Sequence, residues 1–252
     1  MSSKLTLIFV PGAWHTPDTW GKLTSALEAH QLKCASITLP TTLSDPTVNF
    51  STDVKAVRDS ILAETTQGRN VVVVVHSYGG AVGSSAINGL TQRQQDGTSG
   101  HVIGLFMIAT GFVAPNMTFL DAFDGNPPPI WDLNYETGFV DITVDPRELF
   151  YHDLPEDEGN YWVGRLQKQA LKALNEGAKD AHSGWKDVPV WYLSTVEDKA
   201  LPVQAQRVFV QNAKDAGGDV TVREIASSHS PMLSKPAETA AVILEAVEAF
   251  TR

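Results

Sequence analysis

Short apolar runs and amphipathic stretches alternate along the chain. Leu5–Val10 reads as a buried strand. Thr16 and Pro17 suit the N-cap and first position of a helix that carries Trp20, Leu23 and Leu27 on one face. Lys33–Leu39 is expected as a second strand, stopped by Pro40, and Ser51–Glu64 as a helix with Val54, Val57 and Ile61 at helical spacing. Five consecutive valines, Val71–Val75, predict a central parallel strand covered on both faces. Gly79–Asn88 reads as a helix of small residues and Val102–Ala109 as the next strand. After Thr110 the alternation stops. It resumes with a strand at Val188–Thr195, a helix at Pro202–Ala216 closed by Gly217 and Gly218, and a strand at Val220–Ile225. A last helix from Pro236 bears Ala240, Ile243, Leu244, Val247 and Phe250 on one stripe.

Strands separated by helices predict an α/β fold with a mostly parallel sheet covered on both faces. The expected core is residues 1–111 and 187–252. Residues 112–186, with Pro127, Pro128 and Pro129, several aromatics and a charged helical stretch over Tyr161–Leu174, are expected as an inserted helical cap. The composition, 42% hydrophobic and 19% charged over 252 residues, supports a sizeable core and excludes a disordered chain. A net charge of −10 argues against nucleic acid or an anionic membrane as partner. The lone cysteine, Cys34, excludes an intrachain disulfide and a cysteine-built metal site. With no signal-peptide pattern and no apolar run of membrane-spanning length, a soluble cytoplasmic protein is expected.

Candidate chemistry begins at Val75-His76-Ser77-Tyr78-Gly79-Gly80, where the strongest strand turns sharply into the glycine-rich helix. A serine at such a turn is placed as a nucleophile, with the helix N-terminus aimed at it. Val75 stands where the G-x-S-x-G pattern has its first glycine. His76 lies too close in sequence to serve as base and reads as structural. A base belongs on a loop at the C-terminal edge of the sheet. His229, after the last strand, meets this requirement. An acid belongs after the preceding strand, where Asp198 is the first candidate and Glu197 the second. Serine needs a base to take its proton, histidine titrates near neutrality, and a carboxylate fixes the imidazole tautomer. The loop Val10–His15 supplies one expected oxyanion-hole N–H, from Ala13, and the residue after the serine, Tyr78, the other. Gly12 lets the backbone approach the substrate.

These segments, with Glu197–Pro202 and Ser228–Leu233, resemble the methylesterase and hydroxynitrile lyase branch of the α/β-hydrolases. Leu149–Pro155 resembles fungal members. The resemblance implies a six-stranded parallel sheet, a helical cap over the pocket, Asp198 as the acid, and hydrolysis of small, often aromatic, carboxylic esters or lactones. The lyases resemble threonine at the Pro11 position and lysine after the base, where this chain has Ser230, so lyase activity is not expected. The alternatives are a ligand-binding receptor that keeps the triad, and a triad adapted to lyase or thioesterase work. Expected pocket walls are Gly12, Trp14, Trp131, Phe139, Tyr151 and Trp162, with Tyr135 and Phe150 as further candidates. The acidic run Asp153, Glu156, Asp157 and Glu158 reads as a solvated helix start. No cofactor or metal is implied, and the state is monomer or homodimer.

Overall fold

The computed structural model describes residues 5–92 and 99–252; residues 1–4 and 93–98 of the expected core lie outside them. In chain order the strands are β1 (Leu5–Val10), β2 (Lys33–Ser36), β3 (Asn70–His76), β4 (Val102–Ile108), β5 (Trp131–Asn134), β6 (Phe139–Ile142), β7 (Gln169–Ala170), β8 (Val190–Thr195) and β9 (Val220–Ile225). The helices are α1 (Gly21–Glu28), α2 (Phe50–Thr65), α3 (Gly79–Ala86), α4 (Pro146–Phe150), α5 (Glu156–Val163), α6 (Lys172–Asn175), α7 (Val203–Asp215), α8 (Pro231–Ser234) and α9 (Pro236–Phe250).

Six strands form one parallel sheet in the order β2-β1-β3-β4-β8-β9. The valines of β3 are fully buried, as the unbroken β-branched run requires of a strand covered on both faces. Helices α2 and α3 pack together, and α1 packs with α9. The ring of Phe250, at the end of α9, lies where a Cβ on Gly104 of β4 would sit, only 2.6 Å away. Strand order reverses between β1 and β3, which leaves a crevice beyond their carboxyl ends. The register Val10↔Val75 and His76↔Ile108 brings the loops after β1, β3 and β4 to this one edge.

The excursion between β4 and β8 is only partly helical. It contains a three-stranded antiparallel sheet, β5-β6-β7, beside α4, α5 and α6. The β5–β6 turn is closed by Asn134, whose side chain accepts from Thr137 N, and by Gly138 at φ 76°. The expected helix over Tyr161–Leu174 is broken: α5 ends at Val163 before Gly164, and Gln169 instead pairs with Val140 of β6. Strand β2 stops at Ser36, and Pro40–Thr42 forms a 3-10 turn. Thr16 makes no side-chain cap; the segment after it, Pro17–Trp20, is also a 3-10 turn.

Candidate active site

Ser77 sits at φ 51°, a left-handed conformation that costs a non-glycine residue about 1–2 kcal/mol. Its backbone is held on three sides. Ser77 N donates to Ile108 O (3.1 Å), and Ser77 O accepts from Gly80 N (2.8 Å) and Thr110 Oγ1 (2.6 Å). The small residues after it permit close packing. A Cβ on Gly79 would lie 2.4 Å from Pro11 O, and one on Gly80 2.0 Å from Thr110 Oγ1. The bulk of Val75 is accommodated by Gly83, whose Cβ would fall 2.4 Å from Val75 Cγ1. The glycine missing from the strand side of the turn is thus matched by one on the helix.

Asp198 and His229 meet as a buried pair, His229 Nδ1 to Asp198 Oδ2 at 2.7 Å. Asp198 also accepts from Thr195 Oγ1 (2.7 Å), Ala200 N (2.8 Å), Leu201 N (2.8 Å) and Gln206 Nε2 (3.3 Å). These donors hold the carboxyl in place against His229 Nδ1. Glu197 is exposed and is bonded through its backbone, its N donating to Ser227 O (3.2 Å) and its carbonyl meeting His152 Nε2 (2.9 Å). Of the two carboxylates expected as candidates, Asp198 is the one bonded to His229.

His76 turns away from the serine. Its Nε2 bonds the carbonyl of His229 at 2.8 Å, and since a carbonyl only accepts, this nitrogen carries the proton. Burial, then the neighbouring His229 and His15, depress its pKa well below the usual histidine value, so it stays neutral. The loop of His229 is further tied down by Ser228, whose N donates to Asp153 Oδ2 (2.9 Å) and whose Oγ donates to Phe150 O (2.9 Å).

The loop after β1 carries Gly12 and Ala13. A Cβ on Gly12 would stand 3.1 Å from both His76 Nδ1 and Ser77 Cβ, so Gly12 brings this backbone against the elbow. Among the described residues, the backbone N–H groups of Ala13 and Tyr78 have no acceptor, and both residues line the same cavity as Ser77 and His229. The Ala13 carbonyl is pinned by His15 Nδ1 at 2.6 Å, while His15 Nε2 accepts from Tyr151 Oη at 2.8 Å. Burial lowers the His15 pKa to about 4 and keeps the ring neutral.

The cavity holds about 390 Å³. Its walls are apolar: Phe112, Phe119, Trp131 and Phe150 from the excursion, and Trp14 and Phe209 around them. Trp14 and Trp131 meet edge to face at 5.3 Å, as aromatic pairs prefer. Among the expected walls, Trp14 and Trp131 are there; Gly12, Phe139, Tyr151 and Trp162 are not. Gly12 faces the elbow as described. Phe139 pairs with Ala170 on β6 and lies under Lys168 Nζ at 4.8 Å. Tyr151 is turned toward His15, and Trp162 lines a minor crevice with Tyr151 and Leu166. Tyr135, at the β5–β6 turn, is 73% exposed. Phe112, Phe119 and Phe209 were missed because nothing in their local pattern distinguishes cavity wall from packing. Thr195 and Gln206, which bond Asp198, carry no motif either. Among the described residues, no cluster of histidine, cysteine, aspartate or glutamate could hold a metal ion. No described helix is long and apolar enough to cross a membrane.

A serine on a left-handed turn after β3, lining one cavity with a histidine that follows β9 and is paired to an aspartate that follows β8, matches the α/β-hydrolase arrangement. The model of the alpha/beta hydrolase family matches residues 7–242, and the chain belongs to this family. Similar proteins include alpha/beta hydrolase nvfD of Aspergillus novofumigatus, 26% identical over 92% of this chain and 92% of that protein. The pFDCC methylesterase of Arabidopsis thaliana is 24% identical over 97% of this chain and 95% of its own. The solved structure of polyneuridine aldehyde esterase superposes with a TM-score of 0.74 at 19% identity, covering 97% of this chain and 99% of that one. At that identity the likeness concerns the fold. These relatives agree with the methylesterase-like branch that the motifs resemble.

Proposed function

We propose that this protein is a serine hydrolase that cleaves small, uncharged carboxylic esters, open-chain or cyclic, through an acyl-enzyme. The observation that carries the reading is the buried 2.7 Å pair of Asp198 with His229, which lines the same cavity as Ser77. In this reading His229 Nε2 takes the Ser77 hydroxyl proton as Oγ attacks the ester carbonyl. The resulting oxyanion is met by the N–H groups of Ala13 and Tyr78. The tetrahedral intermediate collapses to acyl-enzyme, and His229 returns the proton to the departing alcohol. Water, deprotonated by His229, then attacks the acyl-enzyme; the acid leaves and Ser77 regains its proton.

The apolar walls support an uncharged substrate, since a charged group there would be desolvated without a partner. Apart from His229, no wall residue is ionisable below the tyrosine range, which also favours ester hydrolysis over release of an anion such as cyanide. The excursion supplies many of the walls and acts as the specificity cap. The unpaired thiol of Cys34 fits a reducing cytoplasm.

The test is hydrolysis of short p-nitrophenyl esters by the wild type and by Ser77→Ala. Loss of the nucleophile is expected to lower kcat by about 10⁴–10⁶-fold. A fluorophosphonate should label the wild type at Ser77 and leave the variant untouched. Equal activity of the two proteins would refute the proposal.

A further inference from the structure

The two oxyanion donors come from loops far apart in sequence, one after β1 and one after β3. A buried hydrogen-bond chain connects the residues beside them. Trp14 N, next to Ala13, donates to Gln169 Oε1 (3.2 Å). Gln169 Nε2 donates to Thr41 Oγ1 (3.0 Å), and Thr41 Oγ1 donates to Asp53 Oδ2 (2.6 Å). The same oxygen of Asp53 accepts from Tyr78 Oη (2.9 Å), while Oδ1 accepts from Thr41 N (3.0 Å). Asp53 and Gln169 are completely buried. Among the described residues no cation pairs with this carboxyl.

From this arrangement we infer that Asp53, with Thr41 and Gln169, is a positioning unit that sets the two oxyanion donors relative to one another. The inference rests on the ester-hydrolase reading above. Its logic is directional. An ionised carboxylate only accepts, so both hydroxyls must donate to it. Thr41 Oγ1 then has only lone pairs left, and these must face the amide nitrogen of Gln169. That fixes which way the amide lies and turns its oxygen to Trp14 N. One charge thus orients every link from Tyr78 to the loop at Trp14, whose backbone is itself left-handed at φ 62°. The arrangement puts a buried charge among neutral donors, and burial raises the Asp53 pKa to about 6 against the opposing hydrogen bonds from Thr41 and Tyr78. A core that needed only packing would be better served by apolar residues.

The experiment compares the wild type with Asp53→Asn, Gln169→Leu and the conservative Tyr78→Phe, and uses Lys55→Ala on the outer face of α2 as control. Asparagine has one accepting oxygen, so one of the three donors at Asp53 must lose its acceptor. Each of the three variants is expected to lose about 10- to 100-fold in kcat with KM changed less than about twofold, as misplaced donors would cause. The second readout is inhibition by a trifluoromethyl ketone, which takes up the Ser77 oxygen as a hemiketal oxyanion while the proton passes to His229. Its affinity should fall by the same factor as kcat/KM. Binding of the matching secondary alcohol, which forms no oxyanion, should stay within about twofold. Unchanged kcat in Tyr78→Phe and Gln169→Leu overturns the inference, as does an equal loss for ketone and alcohol, which would mean a deformed pocket. Wild type that neither turns over esters nor reacts with fluorophosphonate overturns the hydrolase reading, and this inference with it.

Discussion

At the scale of single residues, the site depends on places where a side chain is missing. Gly79 is the sharpest case, because the atom facing its absent Cβ is the main-chain oxygen of Pro11, which has no rotamer to change. Gly79→Ala should push the Pro11–Ala13 segment away from the elbow. The expected outcome is a loss of about 10²-fold in kcat, since displacements near 1 Å cost that much, with a destabilisation of about 1–3 kcal/mol. Steady-state kinetics and urea unfolding check the two parts. Residues of this kind were legible in the sequence, where Ser77-Tyr78-Gly79-Gly80 follows five valines and His76 at the turn into a helix of small residues. The side chains that hold the site were not. Asp53, Thr41, Gln169 and Gln206 look like ordinary helix and turn residues, and only their folded neighbours give them a task.

At the scale of elements, strands and helices with a strong hydrophobic period were read to within a few residues, from β1 through α9. The excursion was not, because its strands are two to four residues long and its period changes several times. The hairpin at Asn134–Gly138 left a turn signature, but the charged stretch that follows has a helical look that Gly164 and the pairing of Gln169 override. Helix α7 shows how an element outside the reacting groups supports them. Its Gln206 bonds Thr195 through both ends of the amide and reaches Leu201 O (2.7 Å) as well as Asp198. Gln206→Leu should strand the Thr195 N–H and loosen the acid loop. We expect about 1–3 kcal/mol lost in unfolding free energy and kcat lowered about 10-fold with KM little changed.

At the scale of the whole molecule, stability and chemistry sit at opposite ends of the sheet. Glu64, near the end of α2, accepts from Thr6 of β1 (2.6 Å), Lys33 of β2 (2.7 Å) and Arg69 ahead of β3 (2.5 Å). The Arg69 guanidinium above all, with Lys33 and Thr6, holds its carboxyl down to about 2. A depressed carboxyl stabilises the fold fully above its ordinary value near 4.5 and ceases to do so as pH falls toward 2. Glu64→Gln should therefore cost about 1–3 kcal/mol at pH 7, a gap that narrows as pH falls from 4.5 toward 2, with kcat at pH 7 unchanged. His15 acts earlier on the acid side. Its folded value of about 4 lies under the ordinary 6.5, so the unfolded chain binds the extra proton and stability declines as pH falls between the two. Urea midpoints across pH 3–8 separate these contributions.

The excursion leaves the sheet after β4 and returns to it at β8, and those two strands are hydrogen-bonded neighbours. Evolution could therefore replace the intervening segment without rethreading the core, trading one range of substrates for another while the reacting groups stay in place. The exchange is not unconstrained. Asp153, bonded to Ser228 N, and Gln169, bonded to Trp14 N, belong to the replaceable part yet brace the permanent one. Descendants of such swaps would inherit the chemistry intact only where those two anchors, or substitutes for them, came along.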